Sequence, residues 1–175
     1  MKSDFVMPII VLSVLCLVVS AALSIVNNLT LPVIKEAAAQ REEKAKRDVI
    51  PDAEEFVLLE VENLPKTITG VYGTSNNAGF IIAVTAHGYG GDINLICGID
   101  PQGKLIRCIV LSHTETKGLG TPVFEEPHAG QYWGKDKTGI TEISAISGAT
   151  ITSNAYKNGI RDAFDVFEIV KGIRL

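Results

Sequence analysis

The chain has 175 residues, a formal net charge of −4 at pH 7 and a hydrophobic fraction of 46%. This length suits one globular domain with an appendage. The acidic balance, without any long basic run, argues against nucleic acid as a partner.

An uncharged run follows a short tail at residues 1–4. It covers residues 5–26 and reads FVMPIIVLSVLCLVVSAALSIV. As a helix, at about 1.5 Å per residue, it is roughly 33 Å long, which is enough to cross a hydrocarbon core of about 30 Å. A cleaved signal peptide is the alternative, but the run is longer than a typical signal core and only Lys2 precedes it. We therefore predict an uncleaved single-pass transmembrane helix.

Charge near the predicted span leaves its orientation open. The basic residues that follow it are Lys35, Arg41, Lys44, Lys46 and Arg47. Counting them against Lys2 places the C-terminal side in the cytoplasm, but long domains are exported regardless of charge. The topology is therefore undecided by charge alone.

Residues 27–50 are rich in Ala, Glu, Lys and Arg, which favour a helix. Glu42 precedes Lys46 by four residues, the order that stabilises a helix. The apolar face is thin, and Pro51 ends the segment. We predict a solvated helical stalk, followed by a globular domain over residues 51–175.

The predicted domain begins with short runs rich in β-branched residues, separated by turn-forming clusters. These runs read EFVLLEVE, GFIIAVTA, DINLICGID and GKLIRCIVLS. Residues 100–103, DPQG, form a type I turn sequence that predicts a hairpin between the last two runs. One short helix is expected within residues 121–134, before Pro127. From Ser153 onward, apolar residues recur at spacings of three to five, which predicts an amphipathic helix. The fold class is therefore α+β, an antiparallel sheet flanked by helices.

The histidines and cysteines indicate neither a catalytic centre nor a metal site. His87, His113 and His128 are widely spaced and have no acidic ligand cluster. Cys97 and Cys108 lie on the two arms of the predicted hairpin. An exported domain could pair them, but the sequence does not fix the register, and buried free thiols are the expected state.

Two glycine-containing segments lie around the last predicted strands. HGYGGDIN, residues 87–94, precedes a strand and lacks the lysine of a phosphate-binding loop, so we interpret it as a turn requiring positive φ. In residues 112–126, SHTETKGLGTPVFEE, the glycines allow backbone approach to a flat ligand and Leu119 offers apolar surface. A strand-ending turn explains the second segment equally well.

Three hydroxyl residues, Ser147, Thr150 and Thr152, surround a Gly-Ala pair before the final predicted helix. The small pair permits close approach of a ligand, and a helix N-terminus supplies free N–H groups, which together favour a phosphate at Thr150. The alternative is that Thr152 or Ser153 caps the helix. One cap leaves two hydroxyls unexplained, and the residues alone do not decide between the two interpretations.

Several of these elements resemble those of FMN-binding domains. Residues 147–150, SGAT, resemble the flavinylation motif Asp-x-x-(Ser/Thr)-Gly-Ala-Thr, and HTETKGLG resembles the ETPGLG element. With GYGGDI and GID-x-x-GK-x-x-x-x-x-x-L-S-H, the chain is similar to the G subunit of Rnf-type membrane electron-transport complexes. The related C subunit of the sodium-pumping NADH:quinone reductase shares the domain but is generally longer. The likeness runs from the predicted anchor to the final helix.

The resemblance implies a role for each matching residue. Thr150 would carry FMN as a phosphodiester, attached by a separate flavin transferase that uses FAD as donor. The loop engaged by the phosphate and the transferase would comprise Ser147, Gly148 and Ala149. The residues that would line the flavin pocket are Glu115, Thr116, Gly118, Leu119 and Gly120.

The function implied by the resemblance is that of an electron carrier in a complex that couples ferredoxin:NAD electron transfer to ion translocation. The chain would not be catalytic alone. Its partners would be other membrane and iron–sulfur subunits, and the FMN domain would lie on the extracytoplasmic side. The alternatives are the C-type quinone reductase subunit, a sensor module without redox turnover, and a purely structural adaptor.

The sequence departs from the family pattern at two positions. Ser144 stands where the motif has Asp, which removes a carboxylate expected to assist the transferase, and Glu142 is nearby but out of register. Lys117 replaces the Pro of ETPGLG. The first change questions the efficiency of covalent attachment and leaves non-covalent FMN as an alternative; the second affects only the rigidity of one turn.

Overall fold

The computed structural model describes residues 3–173, so Met1 and Lys2 of the predicted tail lie outside the described part. The chain divides into two compact units, Met1–Arg41 and Glu42–Leu175. Helix α1, Ser3–Val49, supplies all of the described part of the first unit.

Helix α1 is the one helix among the described residues that is long and apolar enough to cross a membrane. Within Val6–Val49 an 18-residue window has a mean hydropathy of 3.0, and none of that window is buried in the protein. The uncharged run over residues 5–26 therefore lies in a helix, as predicted.

The second unit is built on a five-stranded antiparallel sheet in which sequence neighbours are also spatial neighbours. The strands are β1 (Phe56–Leu58), β2 (Ile68–Thr74), β3 (Phe80–His87), β4 (Asp92–Ile99) and β5 (Leu105–Ser112). The predicted β4–β5 hairpin is confirmed, whereas β2 was not predicted. Because His87 pairs with Asp92 and Ser112 with Asn94, the β3–β4 loop and the end of β5 lie at the same end of the sheet.

One face of the sheet is covered by helix α2, Thr150–Val170. Gly159 of α2 lies over Ala86 and Leu95, whose side-chain atoms are 3.3–3.5 Å from the position of an added Cβ. The main apolar core lies between this helix and the sheet. Three 3₁₀ helices connect β5 to α2, at Thr121–Val123, Ala129–Tyr132 and Gly139–Glu142. The short helix predicted before Pro127 is the 3₁₀ helix Thr121–Val123, whereas the one at Ala129–Tyr132 was not predicted.

The other face is covered by the end of α1. Ala45, Val49 and Ile50 pack there in a second apolar cluster with residues of β3 and β4. This packing differs from the solvated stalk expected through residue 50, because these three side chains form an apolar stripe that the sheet buries. The α+β fold, a sheet flanked by helices, is confirmed.

Lys46 connects the end of α1 to the sheet, and its charged side chain is only 3% exposed. Its Nζ donates to Glu43 Oε1 at 2.8 Å, lies 3.2 Å from Glu42 Oε1 and sits 3.6 Å from the centre of the Tyr72 ring. The Tyr72 hydroxyl donates to Glu42 at 3.1 Å. Burial alone would lower the pKa of Lys46, but Glu43, Tyr72 and Glu42 together raise it. Burial also raises the pKa of Tyr72.

Candidate functional site

A cleft of about 390 Å³ opens where the β3–β4 loop, the segment after β5 and the start of α2 meet. Its lining comprises Tyr89, Glu115, Thr116, Leu119, Gly120, Gly148, Ala149, Thr150, Ile151 and Thr152. The structure thus brings together three segments that are well separated in sequence. Of the predicted site residues, Ser147 and Gly118 do not line the cleft; the Gly118 N–H donates to Thr121 Oγ1 at 3.0 Å.

Glu115 joins all three segments of the cleft. Its side chain is 7% exposed. One carboxylate oxygen accepts the Gly90 N–H at 3.0 Å, and the other accepts the Thr152 hydroxyl at 2.7 Å. The Thr114 hydroxyl adds a bond to the Gly90 carbonyl at 2.9 Å. A single buried carboxylate therefore positions the glycine loop against the helix.

The glycine loop of residues 88–91 is more than a tight turn. An added Cβ at Gly88 would lie 2.2 Å from Glu115 Oε1, and one at Gly90 would lie 2.4 Å from the Thr114 carbonyl oxygen. The loop therefore needs glycine for its close packing against the segment after β5. It also places Tyr89 at the cleft, where its side chain is 71% exposed.

The hydroxyls around the start of α2 are used in different ways. Ala149 is the N-cap residue, and no side chain caps the helix. The Thr152 hydroxyl bonds to Glu115, and Ser153 Oγ accepts the Ile146 N–H at 3.1 Å. Helix capping therefore does not occupy these hydroxyls, contrary to the alternative considered from the sequence.

Thr150 differs from its neighbours. It is exposed and lines the cleft, and within residues 3–173 its hydroxyl makes no hydrogen bond. The backbone N–H groups of residues 150–152 also lack acceptors in the described part of the chain, whereas that of Ser153 donates to the Ala149 carbonyl. The helix start thus presents free N–H groups and one free hydroxyl, a combination suited to a phosphate.

The segment before this helix is held through its main chain. His128, 7% exposed, contacts the Val123 carbonyl oxygen through Nδ1 at 3.0 Å and the Ser144 carbonyl oxygen through Nε2 at 3.3 Å. Lys157 Nζ donates to the Ile143 carbonyl. The side chains of Ser144 and Glu142 are exposed, so no buried carboxylate replaces the Asp that the motif would place at position 144.

The cleft residues fit a flat aromatic ligand that carries a phosphate. Three large apolar side chains at the cleft are at least half exposed: Tyr89 at 71%, Leu119 at 50% and Ile151 at 57%. Such surface is suited to the faces of an aromatic ring. Gly148 has φ +83°, a conformation that a residue with a side chain rarely adopts.

Sequence reasoning did not assign Tyr89, Ile151 or Thr152 to the site. Tyr89 lay in a segment interpreted from its residues as a turn and used in the family resemblance without a role at the site. The pairing of β3 with β4 is what carries it to the cleft. Ile151 and Thr152 directly follow the predicted attachment residue on the first turn of α2. The one available signal was their proximity to Thr150 in a helix.

Comparisons with known proteins agree with this geometry. A family model described as an FMN-binding domain matches residues 88–165, a range that contains every residue lining the cleft. The G subunit of the proton-translocating ferredoxin:NAD(+) oxidoreductase complex of Clostridium ljungdahlii is 28% identical, with 88% of this chain and 86% of that relative covered.

Two further relatives show the same extent of similarity. The G subunit of the Na(+)-translocating ferredoxin:NAD(+) oxidoreductase complex of Acetobacterium woodii is 28% identical over 91% of this chain and 89% of its own length. The G subunit of the ion-translocating oxidoreductase complex of Methanosarcina acetivorans is 27% identical over 94% and 95%. The similarity therefore includes the N-terminal helix as well as the domain.

Proposed function

We propose that this chain, whose residues 88–165 match the family model described as an FMN-binding domain, is a membrane-anchored flavoprotein subunit. It relays electrons within a complex that couples ferredoxin:NAD electron transfer to ion translocation. The relatives named as the G subunits of such complexes support this assignment because they match nearly the whole chain.

The observation that carries the proposal is the free hydroxyl of Thr150 at the open start of α2. A flavin transferase would attach FMN there: the bond between Thr150 Oγ1 and phosphorus would form as the pyrophosphate bond of FAD breaks, and AMP would leave with the hydroxyl proton. The unbonded N–H groups of residues 150–152 lie where they can bind the phosphate. Thr152 is unsuited to this reaction because it is 2% exposed and bonded to Glu115.

Bound FMN supplies transfer of one or two electrons. The protein contributes placement: Tyr89, Leu119 and Ile151 offer apolar surface to the ring, and Glu115 fixes the two loops around it. No general acid or base is required from this chain for electron transfer. The covalent link keeps the cofactor at the site without a concentration-dependent binding step.

Mass spectrometry of the full chain co-produced with a flavin transferase tests the attachment. Trypsin releases residues 138–157 as one peptide, since Lys137 and Lys157 bound it. We expect this peptide to carry FMN in the wild type, and Thr150→Val to abolish the addition completely.

Thr141→Val is the matched control because it removes an exposed hydroxyl of the same peptide that does not line the cleft and bonds only to the Thr138 carbonyl. It should keep the FMN addition. An unmodified wild-type chain, with a transferase shown to be active on another substrate, would contradict covalent attachment. Flavin co-purifying without a mass increase would indicate non-covalent binding, a result consistent with Ser144 at the usual Asp position.

A separate experiment tests on which side of the membrane the FMN domain lies. We propose that the FMN domain is extracytoplasmic, where a covalent tether prevents loss of the flavin by dilution. Protease added to intact cells, or to spheroplasts where an outer membrane is present, should remove the domain while a cytoplasmic marker stays intact. Full protection of the domain would reverse the proposed orientation.

The complex itself is tested by purification from native membranes. Iron–sulfur subunits should co-purify, and reduced ferredoxin should bleach the flavin absorbance of this chain. A complex without ferredoxin-dependent reduction but with quinone reduction would instead favour the C-type subunit.

A further inference from the structure

Cys97 and Cys108 face each other across the β4–β5 hairpin. They are register partners in the antiparallel pair, and their Sγ atoms are 3.1 Å apart. Directly opposed residues of antiparallel strands have Cα separations of about 4.5–5.5 Å, which lie within the range that a disulfide spans. The register that the sequence left open is thus one that aligns the two thiols.

We propose that Cys97 and Cys108 form an intramolecular disulfide, a covalent modification additional to the flavin. The S–S bond forms as two S–H bonds break, and the two electrons and two protons reduce the disulfide of an exchange partner to two thiols. That partner is a glutathione disulfide or a protein thiol–disulfide oxidoreductase. In cells this reaction rests on the proposed extracytoplasmic side for its oxidant, whereas the pairing geometry does not.

The surroundings of the pair favour a disulfide over a metal site. Among the described residues there is no cluster of three or more His, Cys, Asp and Glu that could hold a metal ion. Both sulfurs lie in the core against α2, with Cys97 fully buried and Cys108 7% exposed. Since a disulfide bond is about 2.0 Å long, closure requires the sulfurs to approach by only about 1 Å.

Burial also sets when the bond can form. Burial and the neighbouring Cys108 raise the pKa of the Cys97 thiol, and the thiolate is the species that attacks a disulfide. Exchange therefore proceeds before α2 closes over the hairpin. Once formed, the bond holds β5 at Cys108, four residues before Ser112, the last residue of the strand. It therefore supports the segment after β5, which carries Glu115.

Peptide mapping of the purified full chain in detergent tests the pairing. In a Cys16→Ala background, the protein is unfolded in guanidinium and refolded in detergent with glutathione buffers and a catalytic amount of disulfide isomerase, so that the thiols are accessible before α2 closes. It is then denatured in N-ethylmaleimide and digested without reductant. Trypsin separates residues 67–104 from residues 108–117, so a disulfide appears as a linked peptide pair. We expect the linked pair to predominate even at a tenfold excess of reduced glutathione. Free thiols or glutathione adducts in excess oxidised glutathione would overturn the proposal.

Thermal unfolding provides a second measurement. Closing this short loop should make the Tm of the oxidised chain higher than that of the reduced chain by roughly 5–10 °C. Cys108→Ala is the control, and reductant should leave its Tm unchanged. Equal Tm values for the oxidised and reduced wild type would show that the bond is not structural.

The same mapping on membranes trapped with N-ethylmaleimide separates this proposal from the proposed topology. A linked pair in membranes supports both the disulfide and the oxidising compartment. Free thiols in membranes, together with a linked pair in glutathione buffer, support the pairing but contradict the extracytoplasmic side.

Discussion

The two faces of the sheet bury tyrosines in opposite ways. On the face covered by α2, the hydroxyls of Tyr132 and Tyr156 are buried without a hydrogen-bond partner among the described residues. On the face covered by the end of α1, the Tyr72 hydroxyl donates to Glu42, and Lys46 lies over its ring. The α1 face thus adds a polar cluster to its apolar packing, whereas the α2 face buries two tyrosine hydroxyls without partners.

Replacing a glycine by alanine should give the largest difference in stability between the two faces of the sheet. An added Cβ at Gly98 would lie 2.2 Å from Val49 Cγ1, whereas one at Gly159 would meet its nearest atom at 3.3 Å. We expect Gly98→Ala to lower the free energy of unfolding by about 2–3 kcal/mol, because the stiff Val49 side chain must move. Gly159→Ala should change it by less than about 1 kcal/mol, since the helical gain offsets the tight contact.

Guanidinium titration of the full chain in detergent measures both effects. Trp133, the single tryptophan, lies in the domain and reports its unfolding by fluorescence. Equal losses of stability in the two variants would show that α1 does not pack on Gly98 as described.

Replacing Lys46 tests the polar cluster on the α1 face. Lys46→Met keeps the apolar stem but removes the charge, and should cost about 1–2 kcal/mol, because Glu42 and Glu43 are partly exposed and can rehydrate. The exposed Lys44→Met, two positions earlier, should change stability by less than about 0.5 kcal/mol.

The pH dependence of this contribution has a definite sign. The pKa of Lys46 is raised in the folded protein, so its stabilisation is complete at neutral pH and is lost as pH rises through that pKa, above 10.5. The stability difference between wild type and Lys46→Met should therefore shrink in strong alkali. A difference that is unchanged up to pH 12 would contradict a role for the charge.

The smallest effects come from a pair of Tyr→Phe variants. Tyr72→Phe should cost about 1 kcal/mol, because it removes a hydrogen bond to a carboxylate. Tyr132→Phe should be neutral or stabilising by about 0.5 kcal/mol at pH 7, because its hydroxyl is buried and unpaired. Opposite signs from these, measured by the same titration, would refute the contrast between the faces.

The effect of Tyr132→Phe on stability should depend on pH in the alkaline range. Burial, with Cys108 nearby, raises the pKa of Tyr132 to about 12. Between pH 10 and 12 the unfolded phenol ionises first, so this residue's contribution is lost as pH rises. Tyr132→Phe should reduce the decline in stability over that range; an identical decline in both proteins would contradict the raised pKa.

Local patterns predicted much of the fold. The β-branched runs predicted β3, β4 and β5, and the DPQG turn predicted the hairpin between β4 and β5. Both signals are local, because their residues lie close together in sequence. β2 escaped prediction because its seven residues, ITGVYGT, include two glycines and depend on pairing with β3 for their conformation. The packing of the end of α1 on the sheet was not predicted for a similar reason. Ala45, Val49 and Ile50 form an apolar stripe that is too short to recognise before the sheet is known.

The candidate site was predictable only where a motif marked it. The two segments that carry Glu115 and Thr150 were both identified, but only the family resemblance placed them at one pocket; their own residues do not show that they meet. Thr152 was weighed as a helix cap, and only the fold reveals that its hydroxyl reaches a carboxylate 37 residues away. Long-range partners of this kind have no periodicity or local spacing to signal them.

The bond between Glu115 and Thr152 also imposes an order in time. The α2 side of the cleft does not exist until residue 152 has been synthesised and α2 has packed on the sheet. A nascent or truncated chain therefore has no complete cleft for a cofactor. Under the proposed function, loading would be restricted to polypeptides that have finished folding, and the yellow colour of a preparation would measure how many molecules have done so.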